Sequence, residues 1–435
     1  MTERAIKRLI VSVMAVFAVF GSTYVASAAA AATPPDRQVL VLLHLPPPHL
    51  RGGGDYGDGY DDQIGHAARR GIAGRLAKAH GLTLANDWAM PLLGVDCYVM
   101  TVAADQSPRS VADALSHDPG VAWAEPMNTY HGQSARGQSA VGRGPQGRSA
   151  AATPDDPLFR AQPASLAWRL ADLHQMATGR GVRVAVIDSM IDAAHPDLAG
   201  QIQSRANFVQ GRSDGPEQHG TGVAGVIAAV ENNGIGIAGI APQARLMALR
   251  ACWQQAGRDA GAPDTVCDTL GLAEALHFAI LHDARIINMS LSGPPDTLLG
   301  KLIDVAVSRG VTVVGAADPD VPGGGFPASH VGVVAVASDG LSAPTAGLYT
   351  APGRDVPTTQ PEGRWSLVNG SSFAAAHVSG LFALVQERAP RAHGAAALVT
   401  LRPGGGDIDV CSTLLKAAGP CDCDCVRRPM PQTIR

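Results

Sequence analysis

Between residues 154 and 400 the chain alternates unbroken apolar runs with helical stretches, and that rhythm restricts its fold more than any other feature. The runs are RVAVID (183–188), ARLMALR (244–250), ARIINMSL (284–291), GVTVVGAA (310–317) and VGVVAVAS (331–338). Helical stretches lie at 221–231, 270–283, 296–309 and 372–388. A strand apolar on every residue is buried on both faces, and helical crossovers between such strands make them parallel. The expectation is an α/β fold: three layers, with a mostly parallel sheet covered by helices on both sides. In such sheets ligands bind beyond the carboxyl ends of the strands.

Three segments place polar side chains at those ends. Asp188 closes the run RVAVID, His219 opens the small-residue stretch HGTGVAG, and Ser372 starts a helix after NGS. Singly, each has a plain structural reading as a turn residue, a helix cap or an N-cap. Jointly, Asp…His…Ser is one of the chain orders in which a nucleophilic triad is built. Serine needs a base within hydrogen-bond reach. Histidine titrates near neutrality, and a carboxylate fixes its tautomer. The helix start at Ser372 offers backbone N–H groups to a developing oxyanion. An α/β-hydrolase is excluded, because the serine lies in G-S-S-F-A rather than G-x-S-x-G.

Ahead of this region stands other material. Arg4, Lys7 and Arg8 precede an apolar stretch from Leu9 to Phe20, and Ala26-Ser27-Ala28 offers a cleavage site, the pattern of a secretory signal. The apolar stretch falls short of the roughly 20 residues that span a bilayer. Residues 31–130 read as a small α+β unit, with strand-like QVLVLLHL and DCYVMTVA, two helices and a closing GVAWAEPMNTY. Residues 131–153, rich in Gly, Ser, Gln and Arg, read as a flexible linker. Residues 401–435 read as a Cys-rich tail. The organisation is therefore signal (1–30), α+β unit (31–130), linker (131–153), main domain (154–400) and tail.

Composition narrows the function. Hydrophobic residues at 46% and charged residues at 17% support a sizeable core, and the net charge of −4 gives no footing for nucleic acid or an anionic membrane. Export makes the cysteines candidates for disulfides. Cys252 and Cys267 bracket one polar loop; the run Cys421, Cys423, Cys425 has a spacing that does not suit structural zinc and reads as disulfide-forming, with Cys411 one candidate partner and the connectivity left open by the sequence.

The flanks of the three segments resemble the subtilisin-like serine peptidases, the subtilase family. VAVIDSMIDAAHPDL resembles that family's aspartate motif, HGTGVAGVIAA its histidine motif and NGSSFAAAHVSG its serine motif. Between the last two lie NNGIGIAGIAPQARLMALR and ARIINMSLSGP, in the order that the resemblance implies. The resemblance spans about 154–390. It implies a secreted or periplasmic serine endopeptidase, made as a zymogen, with Asp188, His219 and Ser372 as triad. Ser290, Leu291 and Ser292 become the edge that pairs with substrate by β-augmentation. Residues 38–130 are similar to the family's propeptides, which fold and inhibit the enzyme in the same chain. The implied partners are protein or peptide substrates and this propeptide, with no nucleic acid and no membrane after signal removal. No organic cofactor is implied; the family allows calcium, but no metal site is assignable.

Five positions depart from the family. Met190 replaces Gly, Gly222 the second His of H-G-T-H, Ala376 a Pro and Ser292 a Gly. Asp318-Pro319 stands where the family has the Asn whose amide serves the oxyanion. Loss of such a donor costs about 10²–10³ in turnover. An ionised carboxylate only accepts, so Asp318 is a second oxyanion donor only when protonated. The alternative function is a weak or silent subtilase-fold domain that binds peptides or serves as a scaffold.

Overall fold

A computed structural model describes residues 34–45, 58–134, 154–256, 263–339 and 347–418. The signal-like segment and the run Cys421–Cys425 lie outside them.

The first part holds β1 (Gln38–His44), α1 (Asp58–Ala79), β2 (Thr83–Met90), β3 (Val95–Thr101), α2 (Pro108–Leu115), β4 (Val121–Pro126) and β5 (Thr129–Gly132). β2, β3, β1 and β4 form an antiparallel sheet in that order. Val39, Val41 and Leu43 alternate with Leu40 and Leu42 along β1, and both sets are buried. The odd set faces helices α1 and α2. The even set joins the core of the main domain.

The main domain begins with α3 (Pro163–Ala167), α4 (Leu170–Met176), β6 (Arg183–Asp188), β7 (Ile202–Asn207), α5 (Gln218–Ala228), β8 (Arg245–Arg250), β9 (Cys252–Gln255) and β10 (Asp264–Asp268). It continues through α6 (Thr269–Leu281), β11 (Ile286–Met289), β12 (Leu291–Ser292), α7 (Thr297–Ser308), β13 (Thr312–Ala316) and β14 (Val334–Ser338). It closes with β15 (Tyr349–Ala351), β16 (Val356–Gln360), β17 (Arg364–Val368), α8 (Ser371–Arg388), β18 (Gly406–Asp407) and α9 (Val410–Ala418). Eight strands form one sheet, ordered β18-β15-β14-β13-β11-β6-β8-β7, with every pairing parallel. α5 and α8 cover one face and α6 and α7 the other. This is the expected α/β architecture, and the five predicted apolar runs are its adjacent strands β14, β13, β11, β6 and β8.

Two boundaries move. Residues 401–418, read with the tail, belong to the main layer: β18 extends the sheet, and Ile408, Val410 and Leu414 enter its core. The run RPGGGD, dense in Gly and Pro, carries no strand signal. Its glycines instead turn the chain back to the sheet edge, with Gly404, Gly405 and Gly406 at positive φ. The second shift concerns His131 and Gly132, read as the start of the linker, which complete β5. Nothing in Thr-Tyr-His-Gly alternates like a strand; partners on both sides impose the extended backbone. Residues 135–153 lie outside the described chain.

Candidate active site

Asp188 ends β6, and the turn after it is drawn tight. Oδ1 of Asp188 accepts from Ser189 N at 2.6 Å and its carbonyl accepts from Ala251 N at 3.0 Å. Met190, in a family glycine position, keeps its N–H bonded to Oε2 of Glu217 at 2.7 Å. Oε1 of Glu217 accepts from Gln254 N at 2.7 Å. One carboxylate at the head of α5 thus ties together the β6 turn, β9 and the helix that carries His219. Sequence reading missed Glu217, because a glutamate preceding a helix is ordinary.

α5 lies unusually close to its neighbours. A Cβ at Gly220 would stand 2.3 Å from the Ser189 carbonyl oxygen, so only glycine fits there. Gly222 faces β16, where a Cβ would meet Thr358 at 3.0 Å and Phe373 at 3.3 Å. Thr358 and Thr359 donate their hydroxyls to the carbonyls of Gly222 and Thr221 at 2.6 and 2.7 Å. The space that a second histidine would need is taken by this threonine pair. Ser292 and Ala376 are also absorbed, the first by a bond from its hydroxyl to the Gly324 carbonyl at 3.3 Å, the second inside a continuous, buried α8.

These elements bring the three predicted side chains together. His219 Nδ1 and Asp188 Oδ1 are 2.7 Å apart, and His219 Nε2 and Ser372 Oγ 2.9 Å. A carboxylate only accepts, so Nδ1 carries the proton and Nε2 of the neutral ring is free to accept from the serine. The Ser372 hydroxyl has a second acceptor, the Ser290 carbonyl at 2.8 Å. All three side chains are buried.

The cleft is filled by the chain's own β5. It lies between β12 and β10, in a sheet ordered β12-β5-β10-β9. Gly132 pairs with Leu291 and His131 with Ser292 on one side, and His131 with Val266 and Tyr130 with Cys267 on the other. The Cys252–Cys267 disulfide joins β9 to β10 behind this wall. Past β5, Gln133 N donates to the Ser290 carbonyl at 3.3 Å, and the Gln133 carbonyl accepts from Ser372 N at 3.1 Å. The Gln133 carbonyl is thereby held at the N-terminal end of α8, at the residue whose hydroxyl meets His219. The predicted edge, Ser290, Leu291 and Ser292, therefore pairs with a strand. Its occupant, Tyr130 to Gln133, spans the boundary that the sequence places between the α+β unit and the linker.

Asp318 does not reach this carbonyl. Its Oδ1 accepts from Asp320 N at 2.9 Å within its own loop, and among the described residues it makes no bond to Gln133 or Ser372. Among the described residues the Gln133 carbonyl accepts from Ser372 N.

Two acids fix the segment from behind. Glu125 in β4 accepts from Thr297 N and Leu298 N, both at 3.0 Å, at the start of α7. Burial, helped by the nearby Asp296 charge, pushes its carboxyl up to about 7 despite those bonds. Asp296 itself accepts from Tyr130, Asn128 and Thr269 side chains. Among the described residues no group of three His, Cys, Asp or Glu could hold a metal ion. The buried Asp197 spends its oxygens on donors, namely Asn233 Nδ2, Ile237 N and Trp365 Nε1.

Comparison with known proteins agrees with the geometry. The model of the Subtilase family matches residues 179–403. Subtilisin of Bacillus pumilus is 37% identical over 237 residues, which cover 49% of this chain and 79% of that protein. Subtilisin E of Bacillus subtilis is 36% identical over 237 residues, 49% of this chain and 57% of the relative. Among solved structures, fervidolysin from Fervidobacterium pennivorans, a keratinolytic enzyme related to subtilisin, is 20% identical with a TM-score of 0.65. That match covers 88% of this chain and 61% of fervidolysin.

Proposed function

The chain belongs to the subtilase family of serine endopeptidases, and we propose that it hydrolyses peptide bonds through Ser372, His219 and Asp188 after cutting its own chain at Gln133–Ser134. The observation that carries this reading is one array: Ser372 Oγ on His219 Nε2 and Ser372 N on the Gln133 carbonyl.

In the proposed reaction, His219 Nε2 takes the hydroxyl proton as Ser372 Oγ bonds to the carbonyl carbon. Asp188 holds the ring through Nδ1 and stabilises the imidazolium. The carbonyl oxygen becomes an oxyanion on Ser372 N–H. Collapse breaks the C–N bond, and His219 returns its proton to the departing amine. Water then hydrolyses the acyl-enzyme with His219 again as base.

The unit before residue 131 acts as inhibitor and zymogen segment. Leu40, Leu42 and Met90 share a core with Leu272 and Leu298 of the main domain, all fully buried. Each such side chain contributes roughly 1.5–3 kcal/mol, so the unit stays docked after the bond is cut and keeps β5 in the cleft. Export, to the medium or a periplasm, is supported by the Cys252–Cys267 disulfide and the signal-like N-terminus. Among the described residues no helix is long and apolar enough to cross a membrane.

The test is labelling by a fluorophosphonate probe after maturation. Labelling at Ser372 supports the reading; folded, matured protein left unlabelled from pH 4 to 9 overturns it. The second reading, a weak or silent peptide-binding domain, is favoured by one observation, the turning of Asp318 into its own loop.

A further inference from the structure

The subsite that holds Tyr130 has a polar floor. The ring is fully buried, with Phe326 beside it at 6.2 Å between centroids. Gly293 makes one wall, where a Cβ would stand 2.4 Å from Cδ1 of the tyrosine. At the far end the hydroxyl donates to Oδ2 of Asp296 at 3.1 Å. The same oxygen accepts from Thr269 Oγ1 at 2.8 Å and Asn128 Nδ2 at 2.9 Å. Oδ1 accepts from Leu299 N at 3.0 Å, capping α7. Two of these four donors, Thr269 and Leu299, come from the main domain and stay. The other two, Asn128 and Tyr130, come from the occupying strand and leave with it.

We propose that Asp296 is a specificity-determining residue that selects tyrosine at the fourth position before the cleaved bond, in self-processing and in substrates cut afterwards. The proposal rests on the peptidase reading above. Asp296 is 7% exposed, so a bound strand excludes water from its carboxylate. Phenylalanine fills the same volume but brings no donor, leaving a buried acceptor short. A site built to hydrogen-bond a hydroxyl rejects the analogue lacking it far more strongly than an apolar pocket sorts by size. Burial and the Asp296 charge push the tyrosine hydroxyl up, so it stays a donor. The neighbouring His131 is exposed and reads nothing. The substrate class is therefore extended peptide with tyrosine four residues before the cut.

The experiment uses matured wild-type protein and two peptides, Asn-Thr-Tyr-His-Gly-Gln-Ser-Ala and its Tyr→Phe counterpart. The expected kcat/KM favours tyrosine by about 10- to 100-fold. Asp296→Asn keeps an oxygen for the helix cap and brings the two rates within about threefold by the same reasoning. The ratio is taken within one protein, so loss of folded fraction cancels. Equal rates in wild type, or an undiminished preference in Asp296→Asn, overturn the proposal. A second readout needs no turnover. In the Ser372→Ala precursor, Tyr130→Phe speeds hydrogen exchange at the His131 and Gln133 amides about tenfold or more. Unchanged exchange there overturns the recognition claim. Faster exchange in a protein that cuts neither peptide supports it and removes the peptidase reading instead.

Discussion

The carbonyl oxygen of Gln133 accepts the backbone N–H of Ser372 at 3.1 Å while Ser372 Oγ lies 2.9 Å from His219 Nε2. The Gln133 backbone is thereby held on both sides of its Cα, its N–H on the Ser290 carbonyl and its C=O on the Ser372 N–H. The expected outcome is a mature chain whose first residue is Ser134, read by N-terminal sequencing or mass spectrometry. Ser372→Ala leaves the precursor whole, and Asp188→Asn slows processing by about 10⁴, because the histidine loses its working tautomer. A mature start elsewhere, or unchanged processing in Ser372→Ala, would show that another protease does the cutting.

Asp318→Asn restores an amide to the loop that carries the family's second oxyanion donor. The native carboxylate bonds to Asp320 N instead. If the asparagine turns into the cleft, kcat on a short peptide rises about 10- to 100-fold, most of what one such donor contributes elsewhere. KM changes little. A rate equal to wild type would place position 318 outside the oxyanion's reach.

Gly132 is the residue before Gln133, and a Cβ on it would stand 3.1 Å from His219 Nε2 and 3.0 Å from Thr265 Cβ. Gly132→Ala therefore presses on the base itself. Processing slows by about tenfold or more, the order of a small displacement of reacting groups, while the thermal midpoint of the Ser372→Ala precursor shifts little. A large drop in that midpoint would mean that the alanine unseats the strand rather than the histidine.

The docked unit should bind more tightly in acid. Burial and the charge of Asp296 raise Glu125 from 4.5 to about 7, so docking takes up a proton. A raised carboxylate contributes stability that is full below 4.5 and is lost as pH rises through about 7. The lag before full activity, measured after self-cleavage, shortens between pH 5 and pH 8, and Glu125→Gln flattens that dependence. His377 works the other way within the main domain. Burial holds it down to about 4 from 6.5, so its contribution is full above 6.5 and falls away as pH drops towards 4. A lag independent of pH in wild type would show that Glu125 is not the controlling group.

The Cys252–Cys267 disulfide sits behind β10, with Cys267 opposite Tyr130. Replacing both cysteines by serine loosens a wall of the cleft without touching the triad. KM for peptides that reach the Tyr130 subsite rises severalfold, whereas that for a dipeptide ester, which stops short of it, stays put. Equal effects on both would place the disulfide's role in global stability.

Much of this is legible in the sequence alone. Strands apolar on every residue could only be covered on both faces, so the sheet, its helices and the positions of Asp188, His219 and Ser372 followed from patterning. β5 was not legible, since Thr-Tyr-His-Gly has no strand signature and becomes one by pairing with β12 and β10. Glu217 and Asp296 escaped for a related reason: each acts through backbone N–H groups and side chains brought near only by folding. Gly222 could be recorded as a departure but not explained, because Thr358 and Thr359 lie more than a hundred residues away in the chain. The glycine-rich turn at 404–406, inside a segment read as tail, returns the chain to the sheet edge.

With β5 in place, the main domain carries a sheet whose central member is supplied from outside it. When that strand leaves, β12 and β10 face one another across a slot one strand wide, roughly 9–10 Å between the two edges. Only a single extended chain satisfies both edges at once; a helix is too thick, and a hairpin already has one side paired. On the proposed reading, a target would have to present its segment unfolded and extended before any side-chain preference could act, and the same residues inside a well-folded neighbour would pass untouched.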